Sequence, residues 1–124
     1  MIAADTSSLV AYLQGERAPD VDAVVAALAG DHLRLPPMVV TELLSDPSGA
    51  NPIASAIAAL PQLELLDGYW ERAGQSRRVI LGRGLKARLA DTLVAQMCID
   101  HRLPLIARDG DFRHFAKHCG LVLA

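Results

Sequence analysis

The chain has 124 residues, 52% of them hydrophobic, and a formal net charge of −2. This length fits one compact domain with a buried core and is too short for two, and no apolar run approaches the about 18 to 20 residues that cross a bilayer. We therefore expect a single soluble domain over residues 1–124, without membrane contact or export signal, in the cytoplasm. Cys98 and Cys119 match no close-spaced metal motif and are expected to be reduced packing thiols.

The small net charge conceals two parts of opposite sign. Residues 1–71 carry 2 basic and 10 acidic side chains, a net charge of −8, whereas residues 72–124 carry 10 basic and 4 acidic side chains, a net charge of +6. The basic side chains are most concentrated at Arg72, Arg77, Arg78, Arg83, Lys86 and Arg88. Such a cluster can attract a polyanion, but on charge alone a solvated helix face is the simpler explanation.

Short apolar runs and helical periodicity alternate in the first half of the chain. The run at residues 1–4 ends at Asp5 and predicts a buried strand that leads into a helix with capping hydroxyls. The predicted elements are, in chain order, a strand at residues 1–4, a helix from Thr6, a helix from an N-cap at Asp20 to Gly30, a strand at residues 33–35, a helix at residues 38–44 after Pro36 and Pro37, a loop at residues 45–52 and an Ala-rich helix through Leu60.

The same alternation continues in the second half. The predicted elements are a strand at residues 62–66, a helix at about residues 68–82, a helix from Leu89 that stops before Pro104, a strand at residues 104–107, a turn at residues 108–111, a helix to His118 and a strand at residues 121–123. Buried strands that alternate with helices predict an α/β fold: a three-layer sandwich in which helices flank a central, mainly parallel sheet.

Four acidic residues are predicted near one edge of this sheet. Ligand sites of parallel sheets gather beyond the carboxyl ends of the strands, where Asp5 and Asp109 follow two predicted strands directly. Glu42 and Asp91 are predicted in the early turns of helices, at the edge of the apolar stripe. Each acid has an ordinary explanation on its own, as a helix cap, a favourable charge at a helix N-terminus or a turn former.

The coincidence of the four acids favours a different interpretation. Four carboxylates at one strand edge repel one another and shift each other's pKa values unless a cation offsets their charge. All-oxygen ligation suits Mg²⁺ or Mn²⁺, whereas Zn²⁺ is expected to recruit histidine or cysteine, and none lies beside these acids in the sequence. The pattern therefore predicts a magnesium or manganese site.

The order and context of these acids resemble those of the PIN-domain ribonucleases, particularly the VapC-type toxins of bacterial toxin–antitoxin pairs. The four motifs that carry the resemblance are Ile2-Ala3-Ala4-Asp5-Thr6-Ser7, Thr41-Glu42-Leu43, Leu89-Ala90-Asp91-Thr92-Leu93-Val94-Ala95 and Arg108-Asp109-Gly110-Asp111-Phe112. One departure is Ala107, where family members often carry a hydroxyl residue. This departure removes a support for Asp109 or a bound water and leaves the acids intact.

The resemblance implies hydrolysis of phosphodiester bonds in RNA that depends on one or two divalent ions. It makes Asp5, Glu42, Asp91 and Asp109 both the metal ligands and the catalytic residues. Thr6 or Ser7 then orients a metal-bound water or contacts phosphate, or else caps the helix, and Asp111 either assists the metal or caps the helix near Phe112. The side chains implied to hold RNA phosphates are Arg77, Arg78, Arg83, Lys86 and Arg88.

The resemblance also implies two protein partners, a small antitoxin that covers the acidic site and a second copy of the chain in a homodimer. Apolar side chains around Ile53, Ile57 and Leu60 offer surface for a partner, although a core-facing helix explains them equally well.

Several alternatives remain open on the sequence. A catalytically silent PIN fold that binds RNA or protein would lack some of the four acids, and none is missing. Phosphoryl transfer through an aspartyl intermediate at Asp5 usually needs a second acid two residues on, where Ser7 stands. His114 and His118 are spaced i, i+4 and are more simply a solvated helix face than a metal pair. The few aromatic residues suit core or interface packing better than base stacking.

Overall fold

Three short parallel strands form the centre of the structure. The computed structural model describes residues 1–47 and 51–124. Strand β1 (Ile2–Ala4) lies between β2 (Leu33–Arg34) and β3 (Leu105–Ile106), and it pairs in parallel with both. Consecutive side chains of β1 and β3 are buried, although they point to opposite faces of the sheet. Both faces are therefore covered, which confirms the predicted α/β sandwich with a parallel sheet.

The described residues form seven helices, and their positions agree with the predicted helices to within a few residues. They are α1 (Thr6–Leu13), α2 (Pro19–Ala29), α3 (Pro37–Leu43), α4 (Pro52–Ala58), α5 (Tyr69–Gly82), α6 (Leu89–His101) and α7 (Phe112–Cys119). None of these helices combines the length and the apolar character that crossing a bilayer requires. Residues 48–50 of the predicted loop lie outside the described residues.

The start of α2 differs from the prediction. The N-cap position belongs to Ala18, and Asp20 lies inside the first turn instead of capping it. Proline is tolerated at the start of a helix because the amide hydrogen that it lacks has no intrahelical partner there, and Pro19 therefore begins α2 before Asp20. The carboxylate of Asp20 does not cap α2 and instead accepts hydrogen bonds from Ser8 and Arg108.

Two predicted strands are wrong. Residues 62–66 and 121–123 each make only one isolated parallel bridge, Leu35 with Gln62 and Leu105 with Leu123. The bridges are held by backbone bonds such as Leu63 N to Leu35 O at 2.8 Å and Leu105 N to Val122 O at 2.9 Å. Leu35 lies just beyond β2 and Leu105 belongs to β3, so each segment meets the sheet at one residue and forms no continuous ladder.

A polar network joins α5 to α6. Arg72 donates from Nε and Nη2 to the two carboxylate oxygens of Asp100, at 2.9 and 2.6 Å. Gln96 donates to Asp100 at 2.8 Å and accepts from Ser76 at 2.6 Å. The bonds from Arg72 lower the pKa of Asp100. Arg72 therefore differs from the rest of the predicted basic cluster, since its charge is held in a two-point ion pair at hydrogen-bond distance. Cys98 and Cys119 are free thiols, as expected.

Candidate metal centre

The carboxyl edge of the sheet carries acidic side chains, as the sequence predicts. Asp5 follows the central strand β1 and is only 6% exposed, and Asp109 follows β3. Asp91 lies in the first turn of α6. Glu42, however, lies in the last turn of α3, not in an early turn, because that helix ends at Leu43. A carboxylate gains nothing from the helix dipole at a C-terminus, so the dipole does not explain Glu42.

Three carboxylates are close enough together to share one cation. Asp91, Asp109 and Asp111 each offer one oxygen, and these oxygens lie within 4.8 Å of one another. The backbone N–H of Asp111 donates to Oδ1 of Asp109 at 2.9 Å, which holds the turn that carries both side chains. Asp5 and Glu42 do not belong to this closely spaced group. Within residues 1–47 and 51–124, no such group includes a histidine or a cysteine.

Asp91 has the least compensated charge of the three. Its Oδ2 is buried and has no hydrogen-bond partner among the described residues. Burial raises the pKa of Asp91 to about 6, and the charges of Asp5 and Asp109 add to this rise while Arg88 opposes it. A buried carboxylate oxygen without a partner is costly in a protein interior. The donor set therefore fits a hard divalent cation, which would supply the missing partner.

Asp5 belongs to the same electrostatic unit. Burial raises its pKa, and the charge of Asp109 adds to the rise, whereas the hydroxyl of Ser7, which donates to Oδ2 of Asp5 at 2.8 Å, opposes it. Asp5 occupies the N-cap position of α1 but makes no side-chain capping bond. The hydroxyl of Ser7 therefore serves the acid instead of capping α1, and the backbone N–H groups of Thr6 and Ser7 also oppose the rise in the pKa of Asp5.

Glu42 is linked to the same edge through Thr6. The hydroxyl of Thr6 donates to Oε1 of Glu42 at 2.9 Å, and the charge of Glu42 is one of those that raise the pKa of Asp91. The side chain of Glu42 is exposed, in contrast to that of Asp5. Glu42 therefore lies at the open side of the acidic cluster.

Asp111 does not cap α7 with its side chain. It occupies the N-cap position but has helical backbone angles, φ −65° and ψ −22°, where a capping residue is usually extended. Its carboxylate oxygens lie 3.9 Å from Lys86 Nζ and 3.9 Å from His114 Nε2. The capping explanation is wrong, and Asp111 joins Asp91 and Asp109 in the group that can hold a cation.

The predicted RNA-binding side chains do not share one environment. Lys86 and Arg88 lie near the acids, since Lys86 approaches Asp111 and the charge of Arg88 opposes the rise in the pKa of Asp91. Arg77 donates from Nε to the carbonyl of Ala87 at 2.9 Å. Arg78 and Arg83 are exposed, and the charge of Arg83 lowers the pKa of His118 in addition to desolvation. The RNA contacts of all five stay a prediction.

Sequence reasoning missed an ion-pair network next to Asp109. Arg108 donates to the carboxylate of Asp20 from Nε at 2.9 Å and from Nη2 at 3.2 Å, and it also pairs with Glu16. Ser8 donates to the same carboxylate at 2.9 Å. The only signal in the sequence was a basic residue before Asp109, because the two acidic partners lie 88 and 92 residues away.

The fold and the acidic edge place the chain among α/β proteins that gather carboxylates at the carboxyl ends of parallel strands. The model of the PIN domain family matches residues 2–118. Because the match covers nearly the whole chain, the chain belongs to the PIN domain family. This membership confirms the resemblance that the four acidic motifs indicate.

Two solved structures have a similar fold. A chain of VapBC2 from Rickettsia felis, solved bound to a DNA fragment from their promoter, has a TM-score of 0.72 at 19% sequence identity, with 100% of this chain and 98% of that chain covered. A chain of FitAcB from Neisseria gonorrhoeae has a TM-score of 0.71 at 19% identity, with 100% of this chain and 97% of that chain covered. A comparison with curated proteins found no match.

Proposed function

We propose that this chain is a ribonuclease that depends on Mg²⁺ or Mn²⁺ and acts as the toxin of a toxin–antitoxin pair. PIN domains are generally nucleases that use divalent metals. The observation that carries the proposal is the buried, unpartnered Oδ2 of Asp91 beside the carboxylates of Asp109 and Asp111. A catalytically silent binding module would gain nothing from a buried carboxylate oxygen that lacks a hydrogen-bond partner.

The chain's own groups divide the work at the site. Asp91 and Asp109, with Asp111, would hold a first ion, and Asp5 and Glu42 border that position. A bound divalent ion would lower the pKa of a water and stabilise the charge that develops on phosphate. Ser7 holds the carboxylate of Asp5, and Thr6 holds that of Glu42. These bonds fix the orientation of each carboxylate before the substrate arrives, which avoids reorganisation during the reaction.

Lys86 and Arg88 provide positive charge beside the acids. An RNA phosphate that approaches so many carboxylates is repelled unless cations offset them. Lys86, 3.9 Å from Asp111, is close enough to contact both the acidic cluster and a phosphate next to it. We therefore assign RNA binding first to Lys86 and Arg88, and then to Arg77, Arg78 and Arg83.

A groove beside Glu42 supports the antitoxin as partner. It has a volume of about 660 Å³, and apolar side chains of α1 and α3, such as Leu13 and Leu43, share its wall with Glu42. A segment of a partner protein in this groove lies next to the acidic edge, so binding there and blocking of the site would occur together. Ile53, which the sequence offered as partner surface, is exposed on α4, whereas Ile57 is buried in the core.

A second surface supports the expected homodimer. A groove of about 740 Å³ lies between α5 and α6, and exposed Trp70, Leu81 and Leu89 line it. Large apolar side chains that share one exposed groove are typical of protein contact surfaces. The dimer stays a prediction, and this face is where we place it.

The proposed activity is tested by incubating the purified protein with total RNA in Mg²⁺, in Mn²⁺ and in chelator. Asp91→Asn is the test variant because it keeps the shape of the side chain and removes the charge. Asp22→Asn is the matched control, since Asp22 is an exposed aspartate of α2 that does not belong to the group of carboxylates that can hold a cation. We expect the wild type and Asp22→Asn to cleave RNA with metal only, and Asp91→Asn to leave RNA intact.

Equal cleavage by the wild type and Asp91→Asn, or cleavage that persists in chelator, contradicts a metal nuclease. Intact RNA with every variant, together with tight RNA or protein binding by the wild type, would instead identify a silent PIN-fold binding module. The toxin role is tested separately by expressing wild type and Asp91→Asn in bacteria. Growth arrest by the wild type alone supports it.

A further inference from the structure

The loop that carries Asp109 and Asp111 is tied to the start of α2 by one side chain. Arg108 projects from this loop, between β3 and α7, and pairs with Glu16 before α2 and with Asp20 in the first turn of α2. The contact with Asp20 is bidentate, at 2.9 and 3.2 Å. A two-point contact of a planar guanidinium fixes direction as well as distance.

The same network reaches the helix that follows Asp5. Ser8 of α1 is fully buried and donates at 2.9 Å to the oxygen of Asp20 that also accepts from Arg108. The neighbouring Ser7 holds Asp5. One carboxylate, that of Asp20, therefore connects the start of α1 with the loop of Asp109. These are the two chain segments that deliver acids from the ends of β1 and β3.

The outer pair of this network has little value as a source of stability, because the side chains of Arg108 and Glu16 are 37% and 45% exposed and ion pairs in such positions contribute little to folding free energy. The side chain of Asp20 is only 13% exposed, and an asparagine at this position would keep an acceptor for Ser8.

The position of the network beside Asp109 offers a better explanation of what the network does. Asp109 directly follows Arg108, and the loop has no strand or helix pairing of its own between Ile106 and Phe112. Besides this tether, the carboxylates on the loop have the bond from Asp111 N to Asp109 and the longer contacts of Asp111 with Lys86 and His114 at 3.9 Å.

We propose that Arg108 is a positioning residue for the metal centre, which acts through Asp20 and Glu16 to hold the Asp109 and Asp111 carboxylates against Asp91 and Asp5. The proposal rests on the metal site of the proposed function. Arg108 touches neither the ion nor RNA in this role. Its loss weakens metal binding because the carboxylates must then be ordered at the expense of binding free energy. Groups that orient metal ligands typically change metal affinity by about 10-fold to 100-fold when removed.

The test measures Mn²⁺ affinity of the full chain by the electron paramagnetic resonance signal of free Mn²⁺, without RNA. We expect Arg108→Gln and Asp20→Asn each to weaken Mn²⁺ binding about tenfold, and Arg108→Lys to recover part of the loss. The melting temperature in chelator should change little. Arg72→Gln is the matched control, because it removes an equally well-formed bidentate pair with Asp100 at the far end of α6 from Asp91.

If Arg108→Gln and Asp20→Asn both bind Mn²⁺ with wild-type affinity, the positioning role is overturned and the metal site of the proposed function still stands. A loss in Arg72→Gln as large as in Arg108→Gln also overturns it, since general destabilisation then explains the effect. If the wild type itself binds no Mn²⁺, the metal site of the proposed function fails and the positioning role fails with it. Should Arg108→Gln not fold, Asp20→Asn keeps the arginine and decides the question in the same way.

Discussion

The hydroxyl of Thr6 donates a hydrogen bond of 2.9 Å to Oε1 of Glu42, across 36 residues of sequence. Thr6 directly follows Asp5, so this bond joins the segment of the central strand to the last turn of α3. Glu42 is otherwise an exposed side chain with several rotamers available to it. The bond selects one of them and points the carboxylate toward the acidic edge.

Thr6→Val should therefore reduce RNA cleavage about tenfold, because it keeps the shape of the side chain and removes the donor that orients Glu42. The rate of cleavage under saturating RNA is the quantity to measure. Thr6→Ser keeps a hydroxyl and should retain most of the activity. Full activity in Thr6→Val together with a loss in Thr6→Ser would show that the methyl packing of Thr6, and not its hydrogen bond, is what matters.

Asp91→Asn should stabilise the metal-free protein. The pKa of Asp91 is raised in the fold from 3.8 to about 6, so the folded state holds the proton more tightly than the unfolded chain does. The metal-free wild type consequently loses stability as the pH rises from about 4 to about 6. The variant lacks this loss and should be more stable at pH 7 by about 1–2 kcal/mol, less than the full shift implies because part of the side chain faces solvent.

Thermal melts in chelator at pH 4 and pH 7 measure this difference, which should nearly vanish at pH 4, where the carboxyl group of the wild type is neutral. Saturating Mn²⁺ should reverse the order, since the ion stabilises only the protein that binds it. If the wild type is the more stable protein at pH 7 in chelator, the negative charge of Asp91 does not destabilise the metal-free fold.

Lys86→Gln should weaken RNA binding and make it less sensitive to salt. Lys86 lies beside Asp111 at the acidic edge, where an RNA phosphate would replace the carboxylate as its partner. Loss of one phosphate contact should reduce the slope of log affinity against log salt by about 1. The measurement uses the Asp5→Asn background to prevent cleavage. Lys117→Gln, at an exposed lysine of α7, is the control and should keep the parental slope.

Asp100→Ala should destabilise the fold and leave the chemistry intact. Asp100 is 5% exposed and accepts from both Arg72 and Gln96, so its removal leaves donors at the interface of α5 and α6 without a partner. We expect a loss of about 1–3 kcal/mol in the free energy of unfolding, measured with urea. Asp22→Ala, on the exposed face of α2, should stay within about 0.5 kcal/mol of the wild type. Cleavage per folded molecule should be unchanged in both.

Trp70→Glu should convert the expected dimer into a monomer. Trp70 is 60% exposed, lines the groove between α5 and α6, and makes a T-shaped contact with Tyr69 with the ring centroids 4.9 Å apart. Light scattering should give a mass near twice 13.2 kDa for the wild type and near 13.2 kDa for the variant. Leu65→Glu changes another exposed apolar side chain, 49% exposed and outside the groove, and should stay dimeric. A monomeric wild type contradicts the dimer itself.

Much of the fold was predictable because it follows from local pattern. The periodicity that predicts α5 and α6 depends on residues three and four positions apart, and both helices are where it places them. The segments at residues 62–66 and 121–123 look like strands by composition. Whether such a segment becomes a strand depends on how many of its residues tertiary packing aligns with a neighbouring strand, and each of these segments makes only one bridge.

The candidate site divides in the same way. Asp5 and Asp109 were identifiable because the carboxyl ends of parallel strands meet at one edge, and the four acidic motifs identified the PIN domain family from the sequence alone. Tertiary structure decided that Asp111 joins Asp91 instead of capping α7, that Thr6 and Ser7 hold the acids, and that Arg108 pairs with Asp20. Those contacts depend on how helices pack across long stretches of chain. Local sequence patterns cannot predict these contacts, because residues far apart in the sequence come together only when the hydrophobic core packs.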